Sequence, residues 1–340
     1  RPKQILAGGC IFACVCLPST QSACNLENAM SDFTYQPAEF VPFRDVEAVA
    51  RCRAIRRQDL EKHPNPDFRI RVVADTELGF LWLTDMFYRI KTAADRGERC
   101  VLITPQPWPQ GYRQLAYLIN KFRVDCRQLW TFNMDEYANE DGVVAPETWK
   151  PGFMYSMLTN FYAELDEDLR PPRNQVNGIS NENLDCYGKM LADLGGADCC
   201  YSGPGWTGHL AFIEPDAPEF DAPLAEWKTF GPRIATLSPF TVAQNSLHGF
   251  FGMSGDLCAV PPKAATIGPA EVIGAKHRFD MHGITVDGSF ASWQRLTSRL
   301  VLHGPVTPLL PQSILQTLRT DVYVTESAAA NIEPLWEKGY

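Results

Sequence analysis

From residue 68 onward the sequence predicts an α/β protein: a doubly wound, mostly parallel sheet with helices on both faces. Short runs rich in β-branched and apolar residues alternate with longer segments whose apolar residues recur at helical spacing, the pattern of repeated strand–helix–strand units. One run, CVLIT at 100–104, is continuously apolar, as expected of a central parallel strand buried on both faces. A chain of 340 residues with 45% hydrophobic content can bury a core of that size.

Taken in order, FRIRVV at 68–73 reads as a strand and ELGFLWLTDMFYRIKTAAD at 77–95 as an amphipathic helix. CVLIT follows as a strand, GYRQLAYLINKF at 111–122 as a helix and QLWTFNM at 128–134 as a strand. GFMYSMLTNFYAEL at 152–165 and ENLDCYGKMLADL at 182–194 read as helices, and ADCCYSG at 197–203 as a strand. Later strands are expected at 233–237 (RIATL), 264–268 (AATIG), 282–286 (HGITV) and 321–325 (DVYVT). The proline-rich stretch 213–227 reads as a surface loop or lid. No internal repeat or low-complexity linker interrupts the pattern.

The first 29 residues differ in kind. Arg1 and Lys3 precede a short apolar run and then small polar residues up to Cys24, the layout of a secretory signal, although the run is too short to span a bilayer. Met30 equally opens a sequence that serves as an ordinary N-terminus. The expected organisation is therefore a signal-like leader or non-native extension at 1–29 and a single α/β domain at 30–340. Outside the leader the seven cysteines show no CxxC pair and no metal spacing, which favours a cytoplasmic protein without disulfides over an exported one. A net charge of −9 without a basic run excludes nucleic acid and anionic membranes as expected partners.

Two segments carry chemistry. TFNMDEY at 131–137 places Asp135 at the end of an apolar run, and GPGWTGHLAFIEP at 203–215 combines a glycine-rich turn with His209 and Glu214. Both follow predicted strand ends, where ligands bind in open α/β sheets. A histidine titrates near neutrality and suits ring opening of a sugar; a carboxylate withdrawn from water suits removal of the proton on C2; a second carboxylate can orient the imidazole.

These segments resemble the glucosamine-6-phosphate deaminase/isomerase family, within the superfamily that also contains the 6-phosphogluconolactonases, and imply its Rossmann-like fold. FNMDEY is present intact, and Gly205 to Pro215 matches the family's GxDGHxAFNEP segment. VNGISNENLDCYGKMLADLGG at 176–196 and FMYSMLTNFY at 153–162 match further family stretches, and the sequence after Gly208-His209 favours the deaminase branch over the lactonases. The resemblance implies Asp135 as the C2 base, His209 as the ring-opening acid/base and Glu214 as its partner. Substrate contacts are expected from Trp108, Glu136, Gly205, Trp206, Thr207 and Gly208. The resemblance also implies a small-molecule sugar substrate, no metal or organic cofactor, and assembly into a homo-oligomer.

The chain departs from the family where phosphate is bound. The family loop that cradles phosphate on backbone N–H groups is Pro105-Gln106-Pro107-Trp108-Pro109-Gln110 here, and three prolines remove three donors. Leu247 and Ala291 stand where the family has an arginine and a lysine, with Lys276, Arg278 and Arg295 as candidate replacements. Thr207 replaces the acid before Gly-His. The expectation is an amino-sugar isomerase or deaminase with altered phosphate recognition. The residues leave two alternatives open: a genuine glucosamine-6-phosphate deaminase with a rebuilt phosphate site, and a non-catalytic sugar-binding protein.

Overall fold

A computed structural model of the chain describes residues 35–105, 108–284 and 291–338. The leader, Gln106 and Pro107 of the proline loop, the last two positions of the strand expected at 282–286, and residues 288–290 lie outside the described residues. The chain divides into a short N-terminal unit, Arg1–Glu39, and a body, Phe40–Tyr340, to which every element below belongs.

The strands are β1 (Phe68–Val73), β2 (Cys100–Thr104), β3 (Leu129–Asn133), β4 (Asp135–Ala138), β5 (Val176–Asn177), β6 (Cys199–Ser202), β7 (Arg233–Thr236), β8 (Lys263–Thr266), β9 (Arg278–His282) and β10 (Thr320–Thr325). Seven of them form one sheet in the order β1-β10-β9-β6-β2-β3-β5, and every pairing in it is parallel. The α/β expectation therefore holds. β2, β3 and β6 are central, and side-chain alternation divides them between two cores: Val101, Ile103, Phe132 and Cys200 pack on one face, while Cys100, Leu102, Leu129, Cys199 and Tyr201 pack on the other.

Helices Leu78–Arg96 and Pro109–Lys121 cover the second face. The first buries Trp82, Met86 and Ile90, four residues apart, and stops where Gly97 takes φ +65°, its N–H donating to the Ala94 carbonyl and that of Glu98 to the Ala93 carbonyl. The second starts at Pro109, which needs no N–H partner in the first turn, and buries Tyr112, Leu115, Ala116 and Ile119. Helices Tyr187–Asp193, Pro269–Gly274 and Gln294–His303 close the first face through Leu191, Val272, Val301 and Leu302. Among the described residues no helix is long and apolar enough to cross a membrane.

Several local expectations are corrected. The runs at 233–237 and 264–268 are strands, but β7 and β8 pair antiparallel with β4 in a separate three-stranded sheet; propensity reports the extended backbone, not its partner. The strand expected at 282–286 lies earlier, at Arg278–His282. Its polar residues hid it, yet Arg278, Asp280 and His282 are all buried and hydrogen-bonded. The stretch at 152–165 becomes an α-turn followed by a π-helix at Leu158–Tyr162. The proline-rich stretch 213–227 is no lid: Phe220 and Trp227 are buried in the core, and Glu219 accepts hydrogen bonds from the Thr236 amide and hydroxyl.

Arg299 is fully buried in helix Gln294–His303, and its guanidinium donates to the carbonyls of Ile55, Arg295, Ala329 and Ala330 at 2.8–3.1 Å. Arg299→Leu leaves these acceptors unpaired and is expected to cost about 3 kcal/mol, read in urea denaturation as a lower midpoint at unchanged m-value.

Candidate active site

A cavity of about 260 Å³ opens at the carboxyl ends of the central strands. Pro105 follows β2, Asp135 follows β3, Ser202 to Gly205 end β6 and Met281 to Gly283 end β9, and all of these segments contribute to its wall. The placement is the one expected of an open parallel sheet.

Asp135 is the first residue of β4 and stands opposite Thr266 of β8. It is 4% exposed, lines the cavity, and its Oδ1 has no hydrogen-bond partner. Burial, reinforced by the neighbouring Glu136 charge, pushes its carboxyl well above the usual carboxylate range. Glu136, one residue on, projects to the opposite side of the strand. Its oxygens accept from the backbone N–H groups of Tyr137, Phe153 and Met154 at 2.8–3.1 Å. Two of those donors open helix Phe153–Met157, which otherwise has no side-chain cap.

His209 sits in a tight turn. Gly208 adopts φ +80° and its N–H donates to Gly205; Ala211 adopts φ +53°, a left-handed conformation rare for a residue with a side chain. Behind the ring, Nδ1 lies 3.3 Å from Glu214 Oε2, 3.2 Å from Thr207 Oγ1 and 2.9 Å from Thr241 Oγ1, and Thr207 also donates to Glu214 at 3.0 Å. A carboxylate at Glu214 places the proton on Nδ1 and leaves Nε2 as the working nitrogen. Nε2 lies against Gly205 so closely that a Cβ there would fall 1.8 Å from it. Only glycine fits.

The turn is braced from below. The Gln312 N–H donates to the Gly208 carbonyl, and the Gln312 side chain donates to both oxygens of Asp280. Asp280 also accepts from Ser202, which lines the cavity, and meets His282 Nε2 at 2.8 Å, while His282 Nδ1 meets Ser298 at 2.9 Å. Thr266 fixes the other side by accepting from the Phe212 N–H at 3.1 Å.

The structure brings Asp135, His209 and Gly205 to one cavity, with Glu214 behind His209. Three of the expected substrate contacts lie elsewhere: Glu136 caps a helix, Thr207 is occupied by His209 and Glu214, and Gly208 shapes the turn beside Val301 and Leu310. Trp108 lines the cavity; Trp206 instead stacks on Trp293 at 6.0 Å in an adjoining apolar compartment. Thr241, Asn245 and His248 had no counterpart in the sequence reading, although Ser238-Pro239 is a helix-start signal for the segment that carries Thr241 and Asn245. The enclosed position of His248, with His209 nearby, pushes it down to about 4.

None of the candidate replacement cations reaches the cavity. Arg278 at the start of β9 donates to the carbonyls of Val272, Ile273 and Ala275; Lys276 pairs with Asp198; Arg295 donates to the Ser327 carbonyl. Among the described residues no group of three His, Cys, Asp or Glu side chains is placed to hold a metal ion. Glu136→Gln is expected to destabilise the fold by about 1–2 kcal/mol through the helix cap, measured by chemical denaturation. A raised KM without loss of stability would instead make Glu136 a substrate ligand.

No family model matches the chain. It is 29% identical over 224 residues to the glucosamine-6-phosphate deaminase of Rhodopirellula baltica, covering 65% of this chain and 78% of that protein. It is 30% identical over 194 residues to the glucosamine-6-phosphate deaminase of Caenorhabditis elegans, covering 55% and 65%. With glucosamine-6-phosphate deaminase 2 of Giardia intestinalis it shares 28% over 255 residues, 72% and 86% of the two chains. Among solved structures, a monomeric glucosamine-6-phosphate deaminase superposes with a TM-score of 0.61 at 20% identity, covering 77% of this chain and 98% of the other. The 6-phosphogluconolactonase of Leishmania guyanensis gives 0.55 at 12%, covering 78% and 98%. These structures share the fold. In sequence the chain is thus similar to glucosamine-6-phosphate deaminases, and it shares its fold with a solved deaminase of that name and with a 6-phosphogluconolactonase.

Proposed function

We propose that this chain is an isomerase of the glucosamine-6-phosphate deaminase type, converting a 2-amino-aldose to a ketose with release of ammonia, or an aldose without the amine to its ketose, and with altered phosphate recognition. The observation that carries this reading is the convergence of Asp135 and His209 on one cavity, with Glu214 and two hydroxyls on the far nitrogen of the imidazole.

His209 Nε2 exchanges the proton of the ring oxygen as the sugar opens to the free aldehyde. Asp135 then takes the proton from C2 while the substrate ammonium passes a proton to O1, giving an enolamine, and Asp135 returns its proton to C1. The product is a C2 ketimine, which water hydrolyses to ketose and ammonia; an aldose without the amine stops at the ketose. One carboxylate both accepts and donates, so the site ends each cycle in its starting protonation state. Glu214, Thr207 and Thr241 hold the imidazole tautomer throughout. The side chains supply acid, base and orientation, and the steps call for no metal or organic cofactor.

Asp135 must be ionised to act. Its pKa is raised by burial and by Glu136, so the acid limb of the kcat/KM profile is expected above the ordinary carboxylate value of about 4. The same shift sets a stability sign. A carboxyl whose folded pKa lies above its unfolded value stabilises the fold fully at pH below the unfolded value, and that contribution is lost as pH rises through the folded pKa. Asp135→Asn is therefore expected to raise Tm at pH 7 while abolishing deuterium exchange at C2, with anomer interconversion through His209 retained. Wild-type exchange in that variant would remove the mechanism. Gly205→Ala is expected to lower kcat by about 100-fold or more by displacing the imidazole, with an unchanged far-UV circular dichroism spectrum.

A further inference from the structure

We infer that the cavity takes an amino sugar that carries no phosphate, held against an aromatic wall and by neutral amides; this rests on the isomerase reading above. Among the described residues that line the cavity there is no lysine or arginine, and residues 106–107 and 285–290 contain none in sequence. His248, held down to about 4, is neutral at physiological pH and adds no positive charge. A sugar phosphate would bring its negative charge into a space already containing buried Asp135, with Glu136 next to it and no opposing lysine or arginine among the described lining residues.

Backbone donors do not take the place of the cations. Pro105, Pro107 and Pro109 have no N–H. The Trp108 indole lies flat against the chain at both Gly79 and Gly111, where an added Cβ would come within 2.4 Å of the ring. It therefore covers the first turn of helix Pro109–Lys121, the position from which a helix N-terminus would otherwise meet an anion. The two glycines and Trp108 form a fitted set: the glycines make the slot and the indole fills it beside Trp82 at 5.7 Å.

What the cavity offers instead suits an uncharged ring bearing an amine. Trp82, Trp108, Phe153 and Phe212 present apolar faces to the C–H side of a sugar. Asn245 is 2% exposed, lines the cavity, and its amide nitrogen has no partner, which leaves a neutral donor for a hydroxyl. The unpartnered oxygen of Asp135 is an acceptor for the substrate amine, whose positive charge complements the acidic pair.

Isothermal titration of the wild type and of Asp135→Asn with glucosamine, glucosamine-6-phosphate and inorganic phosphate tests the inference. Glucosamine is expected to bind at least about 10-fold more tightly than its 6-phosphate, and excess inorganic phosphate should not displace it. Trp108→Ala should weaken glucosamine binding about 5-fold to 10-fold, and Trp108→Phe, which keeps a ring in the slot, should recover most of that loss. Tighter binding of the 6-phosphate, displacement by phosphate, no binding of either sugar, or a Trp108→Ala variant with unchanged affinity would each overturn it. Binding to Asp135→Asn needs no turnover, so the two readings fail separately. Glucosamine that binds the wild type but never exchanges at C2 sinks the isomerase reading alone, and efficient turnover of the 6-phosphate sinks this one alone.

Discussion

Thr266 is the point through which the two segments carrying Asp135 and His209 are tied together. Its backbone pairs with Asp135 across β4 and β8, and its hydroxyl accepts the Phe212 N–H three residues past His209. The small antiparallel sheet thereby ties the end of β3 to the turn after β6, two segments that the parallel sheet alone would leave independent. The proposed acid–base chemistry at the ring oxygen and C2 of one sugar tolerates little drift between the two side chains. The rest of the body can be seen as support for that tie, with both sheet faces buried and the turn braced by Gln312 and Asp280.

Two neighbouring carboxylates meet opposite fates at this point, and strand alternation is the reason. Glu136 turns toward the start of helix Phe153–Met157, where three N–H groups offset its burial. Asp135 turns toward the cavity with one oxygen unsatisfied. An unpaired buried carboxylate costs several kcal/mol unless it takes up a proton, and taking up a proton is the capacity that a base at C2 requires.

Proton transfer and recognition are carried by separate parts of the cavity. The hydroxyl of Thr207 bridges His209 and Glu214, which also meet each other directly. At the other end of the cavity the Trp108 indole packs against Gly79 and Gly111, and the proposed loss of phosphate recognition rests there, apart from His209 and Asp135.

Much of this was legible in the chain. Hydrophobic periodicity established the α/β class, because buried strands and amphipathic helices leave different repeats in sequence. The pair FNMDEY and GHLAFIEP located Asp135, His209 and Glu214, and the prolines at 105, 107 and 109 announced the loss of N–H donors before any coordinates. Other features depended on partners remote in sequence. Nothing local distinguishes β8 from a strand of the main sheet, marks the polar run of β9 as buried, or places Thr241 on His209 32 residues away. Nor does local sequence show that Glu136 caps a helix while Asp135 faces the cavity. Periodicity and backbone chemistry are properties of neighbours along the chain, so the sequence alone determined the fold class and pointed to the candidate site segments. Strand pairing, burial of polar groups and the direction of each carboxylate are set by contacts that exist only after folding, and the tertiary structure alone decided them.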